Sequence, residues 1–107
     1  MSKALEPSIA EAQMTSGAIY GFSTAMQGEV TFNDGMTGQI NFYDNDAMRM
    51  HTVPAFEAQI LETNNHVGSA GEPGTPPSMP VLRNALFDLT GKRAREYPLN
   101  RTFNLIL

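Results

Sequence analysis

A loop rich in glycine and proline, residues 67–77, constrains the fold of this chain more than any other part of its 107 residues. Its glycines allow backbone conformations and close approaches that a side chain would block. Its prolines stiffen the exit of the loop and favour the start of a helix. A single acidic residue, Glu72, lies between Gly71 and Pro73. The loop therefore predicts a closely packed backbone that presents one carboxylate.

A long helix is predicted before this loop, over residues 7–27. Pro7 suits a first helical turn, and Gly28 is typical of the residue at which a helix ends. Ser8 and Glu11 have the spacing of a capping box, which predicts how the first turn is closed.

Two glycines inside this predicted helix, Gly17 and Gly21, are four residues apart and therefore lie on one side of it. Each interior glycine lowers helix stability by about 1 kcal/mol relative to alanine. We expect a close packing contact with another backbone to compensate for this loss.

Three strands are predicted between the helix and the loop. Apolar and polar residues alternate at 29–32 and at 39–42, on either side of the tight-turn signal Asn33-Asp34-Gly35. The same alternation follows Pro54, over residues 56–60. These patterns predict a hairpin and then a third strand.

A second helix is predicted after the loop, from Pro76 or Pro77 to Thr90. Thr75 is the expected N-cap, and Gly91 is the expected stop. An apolar stripe supports this helix.

The predicted order α-β-β-β-α corresponds to an α+β fold in a single domain over residues 1–107. Its three-stranded antiparallel sheet would pack with the two helices. The faces of so small a sheet are hard to cover. We therefore expect either a homodimer or a fragment that evolved against a larger body.

Composition excludes several classes of function. The chain has no cysteine, which excludes disulfides, thiolate metal sites and cysteine nucleophiles. Its net charge of −4 does not provide the basic face that nucleic-acid binding needs. No apolar run approaches the roughly 20 residues that span a bilayer, and we expect no secretory signal. We expect no nucleic-acid or membrane partner and a cytoplasmic location.

Glu72 is the candidate for chemistry, because no metal motif or nucleophile motif is recognisable around the two histidines. Its carboxylate has two interpretations: a charge that complements the positive end of the second helix, or a catalytic base. The local sequence favours the helix-end charge, since a lone carboxylate is weak support for a catalytic site. However, Thr75 and the prolines suffice for a helix start and leave the upstream glycines unexplained.

Several motifs follow one another in a specific order: Gly17-Ala18-Ile19-Tyr20-Gly21-Phe22-Ser23, Gly28-Glu29-Val30, Asn41-Phe42, Arg49-Met50, Gly71-Glu72-Pro73-Gly74-Thr75-Pro76-Pro77, Pro80, Asn84, Ala85, Phe87, Thr90-Gly91-Lys92-Arg93 and Pro98-Leu99. Together they resemble the C-terminal part of the molybdopterin-binding large subunits of the molybdenum hydroxylases. Within that family they are most similar to the isoquinoline 1-oxidoreductase and aldehyde oxidoreductase branch of the xanthine dehydrogenase superfamily.

The resemblance implies that Glu72 is the active-site base beside a molybdopterin cofactor and that Gly71 lets the backbone approach that cofactor. The subunits of the family are several times longer, and their other domains supply most cofactor contacts. We therefore expect a segment that holds no cofactor and is inactive alone, and that is completed by the remaining domains. The alternative is a stand-alone homodimeric interaction or small-ligand-binding module, in which Glu72 is a helix-end residue.

Overall fold

Two helices form the body of the fold in the computed structural model, which describes residues 4–103. Helix α1 spans Pro7–Met26 and helix α2 spans Ser78–Thr90, and the two pack against each other. Between them lie strand β1, Phe32–Asn33, and strand β2, Met36–Thr37. Short 3₁₀ turns occupy Phe42–Asp44 and Leu99–Arg101, and the second of these turns also contacts α1.

Helix α1 begins at the predicted Pro7 and ends one residue before the predicted boundary, but its cap differs from the prediction. The N-cap is Glu6, whose carboxylate accepts hydrogen bonds from the Ser8 hydroxyl at 2.6 Å and the Ser8 N–H at 3.3 Å. The expected capping box of Ser8 and Glu11 is wrong, because Ser8 lies inside the helix. Both bonds lower the pKa of Glu6, and the bond from the Ser8 hydroxyl has the larger effect.

The glycines of α1 make the close contact that their spacing predicts. A Cβ atom built on Gly21 would lie 2.6 Å from Cβ of Ser78 and 2.8 Å from the carbonyl oxygen of Thr75. One built on Gly17 would lie 3.4 Å from Cα of Gly74. Only Gly21 therefore excludes a side chain outright, whereas Gly17 borders on ordinary van der Waals contact.

The predicted three-stranded sheet is wrong, since residues 4–103 contain a single two-stranded antiparallel sheet. Its turn is as predicted, with positive φ values of 52° at Asp34 and 79° at Gly35. The ladder, however, pairs only residues 32–33 with residues 36–37. The Gln39 side chain accepts the Thr31 N–H at 2.8 Å, so a donor that a longer ladder would use is already engaged.

The predicted third strand, residues 56–60, is not a strand and has no ladder partner within the described chain. It packs on α1 rather than beside the hairpin, and Phe56 stacks on Phe22 with ring centroids 5.9 Å apart. Alternation of apolar and polar residues matches the alternating burial of residues 56–60, but the strand that it predicted there is wrong.

Helix α2 ends at the predicted Thr90, and Gly91 follows with a φ of 74°. Its start differs from the prediction, because the N-cap is Pro77 and no side chain caps it. The Thr75 hydroxyl donates instead to the Gly17 carbonyl of α1 at 3.0 Å. The predicted N-cap thus bonds to the neighbouring helix.

The core is thin for a chain of this length. Its centre consists of Ala25, Ala94 and Leu99, with half-buried apolar side chains of α2 packed around it. The radius of gyration is 16.4 Å, whereas a compact domain of this length has about 13 Å. The accessible surface is 8122 Å², against about 5,900 Å² for a folded monomer of this mass. The fold therefore leaves much apolar surface uncovered.

Candidate functional site

The loop that carries Glu72 is fixed to α1 by a buried contact. Gly74 is buried, and a Cβ atom on it would lie 3.1 Å from the carbonyl oxygen of Met14. The next residue, Thr75, donates its hydroxyl to the carbonyl of Gly17. Packing against α1 thus explains the glycine at position 74, which the start of a helix did not.

A series of hydrogen bonds connects Glu72 to the start of α2. The Thr75 N–H donates to the Glu72 carbonyl at 3.0 Å, which closes a turn. The Ser78 N–H then donates to the Thr75 carbonyl at 3.2 Å, and its hydroxyl donates to the Gly74 carbonyl at 2.6 Å. The backbone of Glu72 is therefore held in a turn that is itself attached to α1.

The side chain of Glu72 is exposed and lies outside α2. Its carboxylate makes no hydrogen bond or ion pair with another residue of the described part of the chain. Helix α2 begins at Ser78 with no side-chain cap, so the observed geometry does not use Glu72 to complete the helix start.

Gly71, the second predicted site residue, differs from Gly74 in its surroundings. A Cβ atom built on Gly71 would meet nothing within 4 Å. Its φ does not lie in the left-handed region either. Packing within this chain therefore does not require glycine at position 71, and the space beside this backbone is open.

Gly71 and Glu72 line one side of a groove whose other side is α1, with a cavity volume of about 740 Å³. Tyr20 lines the α1 side and is 71% exposed, and Met79 lines the α2 end. Sequence reasoning did not place Tyr20 at the site. The signal was present, because a residue three positions after Gly17 lies on the same helical face.

The groove combines one carboxylate with uncharged polar and apolar side chains. Its hydroxyl groups belong to Ser16, Tyr20, Thr24 and Thr75, and no basic side chain of residues 4–103 lines it. Thr24 and Thr75 already donate to carbonyls of α1. The arrangement can accept a proton from a bound group, but it offers no cation to bind an anionic one.

A second groove, of about 530 Å³, lies on the other side of the loop. It is bounded by α1 and by the segment from Phe56 to Leu61, and Ser69, Ala70 and Pro73 close it. The loop therefore separates two grooves, and only the first contains Glu72. No helix in residues 4–103 is long and apolar enough to cross a membrane.

Two curated proteins are similar to this chain over most of its length. It is 32% identical over 94 residues to "Isoquinoline 1-oxidoreductase subunit beta" of Brevundimonas diminuta, a match that covers 88% of this chain and 12% of that protein. It is 27% identical over 95 residues to "Membrane-bound aldehyde dehydrogenase [pyrroloquinoline-quinone]" of Gluconacetobacter polyoxogenes, covering 89% of this chain and 12% of that protein. The chain thus spans about an eighth of the length of each relative. No protein-family model and no solved structure matches it.

Proposed function

The chain is related to a segment of the isoquinoline 1-oxidoreductase beta subunit, as its ordered motifs predicted, and on that premise we propose that it supplies an active-site base to a larger oxidoreductase subunit. The base is Glu72. The remaining seven-eighths of such a subunit would provide the rest of the site.

The observation that carries this proposal is the contrast between the backbone and the side chain of Glu72. Its backbone is fixed through the turn to Thr75, and Thr75 is bonded to α1. Its side chain is exposed and its carboxylate is unpaired among the described residues, and Glu72 is one of the residues that line an open groove. A general base needs this combination, because the proton it accepts must lie within hydrogen-bond reach of a well-positioned oxygen.

In the assembled subunit, a carboxylate oxygen of Glu72 would accept a proton from the attacking oxygen nucleophile. The turn would fix the direction of approach, and neighbouring domains would exclude water from the groove. Gly71 would let another body approach the backbone beside the base, since no atom of the described part of the chain fills that space.

A molybdopterin cofactor, which the resemblance implies, fits this groove only in part. The open side of Gly71 leaves room for a bulky group, and when bound that group would supply the redox chemistry. A cofactor with anionic groups also needs donors and cations, and none of the described residues that line the groove is basic. This chain would therefore contribute the base at the edge of a cofactor pocket, while other domains hold the cofactor.

The test is a chimera in which this chain replaces the matching segment of the Brevundimonas diminuta beta subunit. We expect Glu72→Gln to lower its turnover of isoquinoline by a factor of about 10²–10⁴, the usual contribution of a general base. Molybdenum content, measured by elemental analysis, should be unchanged. Glu96→Gln is the matched control, because Glu96 is also an exposed glutamate but lies outside the groove. Undiminished turnover in Glu72→Gln would contradict the proposal.

The alternative function is a stand-alone homodimeric or small-ligand-binding module. The apolar groove between α1 and the segment from Phe56 to Leu61 is the feature that favours it. It predicts a stable dimer of the free chain by light scattering, and a Glu72→Gln variant that assembles normally.

A further inference from the structure

The segment over residues 55–61, here called the edge segment, has the alternating burial of a strand but no strand beside it in the described part of the chain. It belongs to no helix, turn or ladder, and no backbone hydrogen bond joins it to another residue within the range 4–103. Backbone N–H and C=O groups in folded proteins are nearly always paired. A row of unpaired groups on an extended segment is a template for pairing with another chain.

One face of the edge segment is already occupied. Phe56, Ala58 and Ile60 are half-buried, and Phe56 stacks on Phe22 of α1. The alternate positions, which include Glu57 and Gln59, are exposed. This period of two is that of a strand with one covered face, so α1 fixes the orientation of the segment and leaves its backbone edges free.

We propose that the edge segment pairs, along one backbone edge, with a β-strand from the remainder of the larger subunit. The partner strand would place apolar side chains beside Phe56 and Ile60, on the α1 side. On the other face it would place a polar or basic side chain opposite Glu57, because like charges directly opposite each other destabilise a pair.

The uncovered surface identifies the partner as a large body rather than a second copy. The accessible surface of 8122 Å² exceeds that of a folded monomer by about 2,200 Å². A standard interface removes about 800 Å² from each partner, so one dimer contact would leave most of the excess exposed. The exposed apolar residues are also spread over α1, the hairpin, the edge segment and α2, as in Ile9, Phe32, Leu61 and Leu89.

The inference that the partner is the larger subunit rests on the proposed function. The unpaired backbone of the edge segment is observed independently of that function. The matched residues are 12% of each relative, so a body of sufficient size is present in the remainder of each. Strand addition does not involve Glu72, which allows the two proposals to fail separately.

Backbone amide hydrogen exchange of the free chain and of the chimera tests the pairing. In the free chain, residues 55–61 should exchange rapidly. In the chimera, alternate amides of the segment should exchange at least about tenfold more slowly, as expected for paired backbone groups. Unchanged exchange in the chimera would overturn the proposal. Protection in the free chain together with a dimer mass would overturn it as well, because a second copy would then be the partner.

Proline substitutions add a readout that side-chain docking would not give. Successive N–H groups of a strand point to opposite edges, and proline removes one of them. Glu57→Pro and Gln59→Pro should therefore behave alike and differ from Ala58→Pro in lowering the thermal midpoint of the chimera. Equal effects at all three positions would overturn pairing along one edge. If the proline test and the exchange test both fail but Glu72→Gln still lowers turnover of the chimera, strand pairing is overturned and the proposed function stands.

Discussion

At the scale of single residues, Gly21 matters most for the packing of α1 against the start of α2. Its missing Cβ leaves the space in which Ser78 and the Thr75 carbonyl lie. Gly17, one turn earlier, faces Gly74 with more room. Because Gly74 belongs to the turn that holds Glu72, the same contact that joins the helices also positions the candidate base.

Alanine at the two α1 glycines should have opposite effects on stability. Gly21→Ala places a methyl group 2.6 Å from Cβ of Ser78, and overpacking of this kind costs typically about 1–3 kcal/mol. Gly17→Ala meets atoms at 3.4 Å and gains up to about 1 kcal/mol of helix propensity. Urea unfolding of the free chain measures both. A Gly21→Ala variant as stable as the parent would contradict the packing.

The hydroxyl of Thr75 should contribute to stability through its bond to the Gly17 carbonyl. Thr75→Val keeps the shape and removes the part-buried bond, which should cost about 0.5–1.5 kcal/mol. Thr24→Val is the control, because the Thr24 hydroxyl makes an exposed bond within its own helix. Equal losses of unfolding free energy in the two variants would show that the bond between the loop and α1 stabilises the fold no more than an exposed bond within a helix.

At the scale of elements, the helices were more predictable than the strands. Pro7, Thr90 and Gly91 mark helix ends through their own backbone geometry, so local sequence suffices for them. The Asp34-Gly35 turn is local in the same sense. The length of the hairpin depends on Gln39, whose side chain competes for the Thr31 N–H. The alternation of apolar and polar residues does not show this competition for the Thr31 N–H. It also does not show which strand would lie beside the edge segment.

The start of α1 should show a small dependence of stability on pH. Hydrogen bonds from Ser8, above all the one from its hydroxyl, lower the pKa of Glu6 below its ordinary value of 4.5. The stabilisation is therefore fully present above pH 4.5 and is lost as pH falls through the lowered folded pKa. We expect Glu6→Gln to remove this part of the acid loss of helicity, measured by circular dichroism. Asp88→Asn, a change elsewhere on the surface, should retain it.

At the scale of the whole molecule, the extent of uncovered surface connects the fold to the relatives. The radius of gyration is 16.4 Å, and the core is centred on Ala25, Ala94 and Leu99. The fold is therefore less compact than a typical domain of this length. The sequence predicted a core too small to cover its sheet and offered a homodimer or a larger body as the cover. The excess of exposed surface favours the larger body, and similarity to about an eighth of two long oxidoreductases agrees with it.

The sequence indicated only part of the candidate site, because some of its residues carry a local signal and others depend on tertiary packing. Glu72 and Gly71 stood out because the glycine and proline residues around them are a local signal. Two of the three glycines of the loop differ in their surroundings in a way that the sequence does not show, since Gly74 packs on α1 and Gly71 faces open space. Tyr20 and the rest of the groove depend on how α1 and the loop meet, which is a tertiary property.

The most direct measurement of the central claim is isoquinoline turnover in three matched preparations. These are the free chain, the Brevundimonas diminuta beta subunit without its matching segment, and the chimera that contains this chain in that place. If the chain supplies a base to a site that the larger subunit completes, only the chimera turns over substrate. Turnover by the free chain, or by the subunit without the segment at the rate of the chimera, would contradict the claim.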